Sequence, residues 1–121
     1  MGEALTVGVR RERGYVIVTA AGEIDVATVT GLRERLFGLA ASGRPLVVDL
    51  DQVSFIDSVG LGVLVGTAKQ AAAYGGSLQL VCAQPKIRKL FRLVGLDSRV
   101  PLARTLDEAL EDLAAPGTTP F

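Results

Sequence analysis

Histidine is absent from the sequence, and cysteine occurs once. Without an imidazole the chain cannot build a Ser-His-Asp or Cys-His nucleophile, and it cannot form a metal site that depends on histidine ligands. The single cysteine, Cys82, cannot form an internal disulfide. Because it lies in an apolar run, we expect a reduced and buried thiol.

Net charge and aromatic rings are also scarce. The 13 basic and 13 acidic residues cancel, and aromatic residues make up 5% of the chain with no tryptophan. No global positive field is present to attract a phosphate backbone or anionic lipid, and few rings are available for base stacking. We therefore expect neither nucleic acid nor a membrane as a partner. One local basic cluster is typical of a solvated helix face, and it comprises Lys86, Arg88, Lys89 and Arg92.

Signals for membrane insertion or export are missing as well. No apolar run approaches the length that spans a bilayer, and residues 1–4 do not have the basic-then-apolar layout of a signal peptide. The sequence therefore predicts a cytoplasmic protein.

Apolar residues, by contrast, make up 49% of the 121 residues, which is enough for one hydrophobic core and one domain. Two β-rich runs are joined by a short polar segment and predict an antiparallel hairpin of residues 5–9 and 15–20. Further strands are predicted at residues 46–50, 78–82 and, shorter, near 99–102. Helices are predicted from a cap at Asp25 to about residue 40, and over residues 58–74, 86–94 and 106–113, the last capped by Thr105.

This order of elements predicts a fold class. Strands and helices alternate after the hairpin, which favours a single α/β domain with a mixed β-sheet of four to five strands and about four helices. We expect the domain to cover residues 1–114 and residues 115–121, with two prolines, to form a flexible tail.

The segment of residues 46–64 carries the candidate site. An apolar strand and a short loop lead to Asp57 and Ser58 at the start of a helix, so Asp57 is a natural N-cap and the Ser58 hydroxyl is presented at the carboxyl end of a strand. An Asp-Ser pair is most often a structural cap. However, Gly60 and Gly62 each weaken the first turns by about 1 kcal/mol relative to alanine, which a purely structural helix would avoid.

The glycines have two explanations. One is close packing of the helix on the sheet, which we also expect for Gly66. The other is that a partner's atoms, or a nucleotide's phosphate, approach the bare backbone at Gly60 and Gly62. Asp25, at the start of the other long helix, is predicted to lie on the same rim as Ser58.

Ser58 is not expected to be a catalytic nucleophile. The hydrolase elbow has glycine two residues before the serine, where this chain has Ile56. No histidine base exists, and Lys69 lies about three turns along the helix. The sequence therefore favours a binding protein over an enzyme, with no cofactor or metal of its own.

Several motifs in order resemble one bacterial family. Residues 22–28, residues 48–50 followed by 55–64, and residues 80–82 followed by 90–96 resemble segments of the STAS-domain family of anti-sigma factor antagonists. The resemblance implies that the unmodified chain binds an anti-sigma factor and so frees a sigma factor. It implies that this anti-sigma factor is a serine kinase that uses ATP and Mg²⁺ to phosphorylate Ser58, and that a PP2C-type phosphatase resets the switch.

The predicted partner-binding residues are Asp25, Asp57, Ser58, Val59, Gly60 and Gly62. Family members often have a small hydroxyl residue at the position of Val59, and this departure bears on the choice of partner. A phosphate adds about −1.5 to −2 charges, which helix amides and the helix dipole accept. A partner covering Ser58 would have to bury that charge beside Asp57, and a penalty of about 3 to 4 kcal/mol weakens binding a few hundredfold.

Two alternatives stay open at this point. The chain could be a STAS scaffold or a transporter-associated subunit in which Ser58 is only a cap. It could also be a small nucleotide-binding module that uses the amides of Gly60 and Gly62.

Overall fold

A five-stranded sheet forms the centre of the molecule. The computed structural model describes residues 4–114. Along the chain the elements are β1 (Thr6–Glu12), β2 (Tyr15–Ile24), α1 (Val29–Ala40), β3 (Pro45–Ile56), α2 (Ser58–Ala73), β4 (Ser77–Val81), α3 (Pro85–Leu93), a 3₁₀ helix (Leu96–Ser98), β5 (Leu102–Ala103) and α4 (Leu106–Ala114). The strand order is β1-β2-β3-β4-β5, with β1 and β2 antiparallel and the other neighbours parallel. The predicted mixed sheet with four helices is confirmed. The predicted tail, residues 115–121, lies outside the described residues.

The predicted hairpin is present and has a two-residue turn. Glu12 pairs with Tyr15, and the residues between them, Arg13 and Gly14, both have positive φ, at 55° and 86°. This is the geometry expected of a type I′ turn, whose twist matches that of the strands it joins. The polar segment after β1 therefore sets the register of the first two strands.

The sheet is covered on both faces. Side chains from α1, α2 and α3, including Leu36, Leu64 and Phe91, pack with one set of alternating strand residues in the larger core. The other set packs with α4, where the Tyr15 hydroxyl donates a hydrogen bond of 3.4 Å to the carbonyl of Ala109. Burial on both faces explains why the first part of β3 is almost continuously apolar, as predicted. Among the described helices, none has the length and apolar character needed to cross a membrane.

Cys82 directly follows β4, and its side chain is fully buried, as predicted. Burial raises the pKa of its thiol above the ordinary value. Because the thiolate is the reactive form, the side chain behaves as a small apolar core residue at neutral pH.

β2 and β3 are longer than the sequence predicts. We expected a strand at residues 46–50 followed by a loop, but β3 continues to Ile56 and stays paired with β2 as far as Ile24. Register shifts in this pairing interrupt the alternation of apolar and polar residues, so the polar stretch resembles a loop in the sequence. The pairing of β3 with β4 ends at Asp49. Beyond it, the Gln84 side chain donates hydrogen bonds to the carbonyls of Asp51 (2.9 Å) and Val53 (2.7 Å).

α1 begins later than predicted. Asp25 is not its N-cap, because a turn precedes the helix and Thr28 occupies the cap position. The Asp25 carboxylate accepts hydrogen bonds from the amides of Ala27 (2.9 Å) and Thr28 (3.2 Å) within that turn. An aspartate that caps a helix and one that closes a turn both accept hydrogen bonds from the amides two or three residues later. The two roles are therefore hard to distinguish in a sequence.

In the C-terminal part the predicted elements are present, and only their positions differ from the prediction. The short strand predicted near residues 99–102 is at Leu102–Ala103, after a 3₁₀ turn. The predicted cap of the last helix is confirmed, because the Thr105 hydroxyl accepts a hydrogen bond of 3.1 Å from the amide of Glu108.

Candidate functional site

The ends of β2 and β3 form one rim of the sheet, and the candidate residues follow directly from it. Ile24 is paired with Ile56, and the amide of Asp57 donates a hydrogen bond of 3.1 Å to the carbonyl of Ile24. Asp25 and Asp57 therefore leave neighbouring strands at the same level. The prediction that Asp25 shares the rim with the start of α2 is confirmed.

Asp57 caps α2. Its backbone is extended, and its carboxylate accepts a hydrogen bond of 3.0 Å from the amide of Gly60. Its carbonyl accepts the first intrahelical bond, 3.0 Å, from the amide of Leu61. In an α-helix the amides at the first positions, here Ser58 and Val59, have no intrahelical acceptor. They lie at the end of the helix that carries partial positive charge, so this end accepts an anion.

Ser58 is the first residue of α2 and is exposed. Val59 beside it is 44% exposed, and Val26, in the turn after Asp25, is 74% exposed. The rim thus presents a reachable hydroxyl with exposed apolar side chains next to the two aspartates. This combination allows an apolar contact with a protein partner at the point where a covalent charge can be added.

The glycines of α2 have different surroundings. Gly60 is buried, and a Cβ there would lie 2.6 Å from Ile24 Cγ2 and 2.8 Å from Ile56 Cγ1. Its bare Cα therefore faces the core, which corrects the hypothesis that a partner approaches the backbone at Gly60. Gly62 is exposed and would have no neighbour within 4 Å of a Cβ. A Cβ at Gly66 would lie 2.9 Å from Phe37 Cζ of α1, so this glycine allows close packing against α1 and not against the sheet as expected.

The sequence did not predict the contribution of two residues, Val26 and Gln84, to this region. A helix that begins at Asp25 would include Val26, whereas the structure places this valine in an exposed turn before α1. Gln84 precedes Pro85 of α3, and its hydrogen bonds to β3 depend on a tertiary contact. For Val26 an available signal was its place directly after an aspartate that can close a turn.

The cap predicts a stability effect. Replacing Asp57 with alanine removes the acceptor for the Gly60 amide, so we expect a loss of about 1 kcal/mol in the free energy of unfolding. Asp57→Asn is the matched control, because asparagine also caps helices and should keep most of this stability. Urea denaturation of the three proteins measures the difference. Equal midpoints for Asp57→Ala and the wild type would show that the cap contributes nothing.

Comparison with known proteins gives a consistent result. A family model described as "STAS domain" matches residues 6–109. The anti-sigma-B factor antagonist of Bacillus subtilis is 39% identical over 99 residues, which cover 82% of this chain and 91% of that protein. A crystal structure of an anti-sigma factor antagonist from Mycobacterium paratuberculosis superposes with a TM-score of 0.84 at 35% identity, covering 92% of this chain and 95% of the other.

A third relative is described in a modified state. The structure of the Bacillus cell fate determinant SpoIIAA in the phosphorylated form has a TM-score of 0.67 and 26% identity, covering 88% of this chain and 97% of the other.

Proposed function

The chain belongs to the STAS domain family, and from this membership we propose that it is an anti-sigma factor antagonist whose binding is switched off by phosphorylation of Ser58. The observation that carries the proposal is the exposed Ser58 hydroxyl at the start of α2, on a rim that also holds Asp57 and exposed valines. The names of the relatives support the antagonist role. The phosphorylated state of one of them supports a switch.

In the proposed cycle the unmodified chain binds an anti-sigma factor, which then releases its sigma factor. The anti-sigma factor is also a serine kinase. The Ser58 oxygen attacks the γ-phosphorus of Mg²⁺-bound ATP, ADP leaves, and a base of the kinase takes the hydroxyl proton. A PP2C-type phosphatase hydrolyses the phosphate ester and restores the serine. ATP and Mg²⁺ belong to the kinase, and this chain acts as its substrate and partner.

The start of α2 explains why the fold would tolerate the phosphate. The amides of the first helical residues and the helix dipole face the added group, and such an end stabilises an anion. Because Ser58 is exposed, its modification displaces no core side chain. The modified chain should therefore remain folded with little rearrangement.

The same end explains why a bound partner would be repelled. A partner that covers Ser58 would enclose the phosphate next to Asp57, with Asp25 on the neighbouring strand end. Like charges in a desolvated contact cost several kcal/mol. We infer that Val26 and Val59 supply apolar contact in the unmodified complex, and that Val59, in the place of a small hydroxyl residue, contributes to the choice of partner.

The alternative of a small nucleotide-binding module loses support. It requires the Gly60 amide to be available to a phosphate, but that amide donates to the Asp57 carboxylate. The scaffold alternative predicts binding that does not depend on Ser58.

A release experiment tests the proposal. The unmodified chain is added to a purified complex of the sigma factor and anti-sigma factor of the source organism, and the components are separated by size-exclusion chromatography. We expect the sigma factor to leave the complex with the unmodified chain and to stay with the Ser58-phosphorylated chain. Retention of the sigma factor in both cases would overturn the antagonist role and favour the scaffold alternative. Release in both cases would overturn the phosphorylation switch.

A further inference from the structure

A groove lies between the end of β3 and one face of α3. We call it the α3 groove and define it by Phe55, Lys86, Lys89, Leu90 and Leu93, which line a volume of about 380 Å³. Ile56 also lines the groove, and it is paired with Ile24 directly before the rim aspartates. The groove is therefore continuous with the rim that carries the proposed switch.

The spacing in α3 explains the composition of the groove. Lys86, Lys89, Leu90 and Leu93 are at positions i, i+3, i+4 and i+7, so they share one face of the helix. Leu93 is 73% exposed and Phe55 is 45% exposed. Large apolar side chains that are exposed together in one concave site mark an interaction surface.

The groove also carries charge of one sign. Lys86 and Lys89 are both exposed, and within residues 4–114 neither forms an ion pair. Both lysines line the groove together with apolar side chains, so a carboxylate of a partner bound there would meet two ammonium groups. A solvated basic face, as expected from the sequence, does not account for the exposed Leu93 and Phe55 that line the groove with them.

We propose that the α3 groove is a second anchoring site for the anti-sigma factor kinase, and that it takes an apolar side chain flanked by carboxylates. The inference rests on the proposed function and adds to it. Because the groove does not include Ser58, it contributes equally to binding of the unmodified and phosphorylated forms. The rim then decides whether the complex is tight, and the groove decides which partner is recognised.

Paired variants test this site against matched controls in α3 and at its C-cap. Lys86→Glu combined with Lys89→Glu reverses the charge of the groove, and Leu93→Ser removes its most exposed apolar group. The controls are Arg92→Glu and Val94→Ser, which make the same kinds of change at exposed positions outside the groove. Affinity for the purified anti-sigma factor kinase of the source organism is measured by titration calorimetry. Circular dichroism confirms that each variant is folded.

We expect the groove variants to bind about tenfold or more weakly, and the controls to stay within about twofold of the wild type. The groove substitutions should weaken binding by the same factor whether residue 58 is the native serine or carries the Ser58→Asp change. If the wild type binds and the groove variants bind equally well, the docking proposal alone is overturned. If the wild type binds no anti-sigma factor, the proposed function is overturned together with it. Dimerisation that depends on Lys86 and Lys89, without an effect on kinase binding, would identify a second copy as the occupant and overturn the proposal.

Discussion

Phosphorylation of Ser58 should weaken binding of the anti-sigma factor a few hundredfold, which corresponds to about 3 to 4 kcal/mol. Ser58 lies beside Asp57 at a contact that the partner would desolvate, so the phosphate would be buried next to a carboxylate. Ser58→Asp carries a single negative charge and should lose about tenfold or more. Ser58→Ala should bind as tightly as the unmodified chain, because alanine adds no charge. The helix cap does not need the serine hydroxyl, since the Asp57 carboxylate provides it.

The matched control for this series is Ser77→Asp. Ser77 is also exposed, but it is the first residue of β4. It therefore lies at the amino-terminal ends of the parallel strands, and the rim lies at their carboxyl ends. Aspartate at this position adds the same charge to the molecule without placing it at the proposed contact. Titration calorimetry with the anti-sigma factor measures the unmodified chain, the Ser58-phosphorylated chain and the three variants. Equal affinities of Ser58→Ala and Ser58→Asp would refute the electrostatic explanation of the switch.

A methyl group at Gly60 should destabilise the fold by about 2 kcal/mol, although alanine is the better helix former. The added Cβ would lie within 2.8 Å of side-chain carbons of both Ile24 and Ile56, so one of these core residues must move. Both isoleucines directly precede the rim aspartates. The same substitution should therefore also disturb the geometry of Asp25 and Asp57. Gly60→Val, with two further carbons, should cost more.

Gly62→Ala is the control for this prediction. It makes the same chemical change one half-turn away, where a Cβ would meet nothing within 4 Å. Only the gain in helix propensity remains, so we expect Gly62→Ala to stabilise the protein by up to about 1 kcal/mol. Urea denaturation gives both free energies of unfolding. If Gly60→Ala is as stable as Gly62→Ala, Gly60 does not pack as described.

The rim derives its arrangement from strand pairing. β2 and β3 run in parallel to the same level, and this brings Asp25 and Asp57 together although 32 positions of the chain separate them. Beyond the last pair with β4, Gln84 holds β3 through two carbonyls. This side chain also joins the start of α3 to the strand that presents Ser58. The rim and the α3 groove are therefore parts of one connected structure.

Local signals were sufficient for much of this arrangement. The hairpin, the cap at Asp57 and the capped last helix depend on residues that are close in the sequence, and each was predicted correctly. The shared rim of Asp25 and Ser58 was also predicted, although only the pairing of Ile24 with Ile56 establishes it.

Other features depend on contacts between distant residues. The extension of β3 to Ile56 requires its irregular pairing with β2. The polar residues of that stretch, taken alone, favour a loop. The role of Gly60 depends on two isoleucines from different strands. The α3 groove cannot be predicted from the lysines, which are typical of a solvated face, because the exposure of Phe55 and Leu93 depends on tertiary packing.

Site-resolved mass spectrometry after incubation with the anti-sigma factor kinase, ATP and Mg²⁺ tests the central claim most directly. We predict one phosphate per chain, on Ser58, and none on the Ser58→Ala variant. A kinase that releases sigma factor in the presence of the wild-type chain but leaves Ser58 unmodified, or that modifies another serine such as Ser54 instead, would contradict the proposed switch.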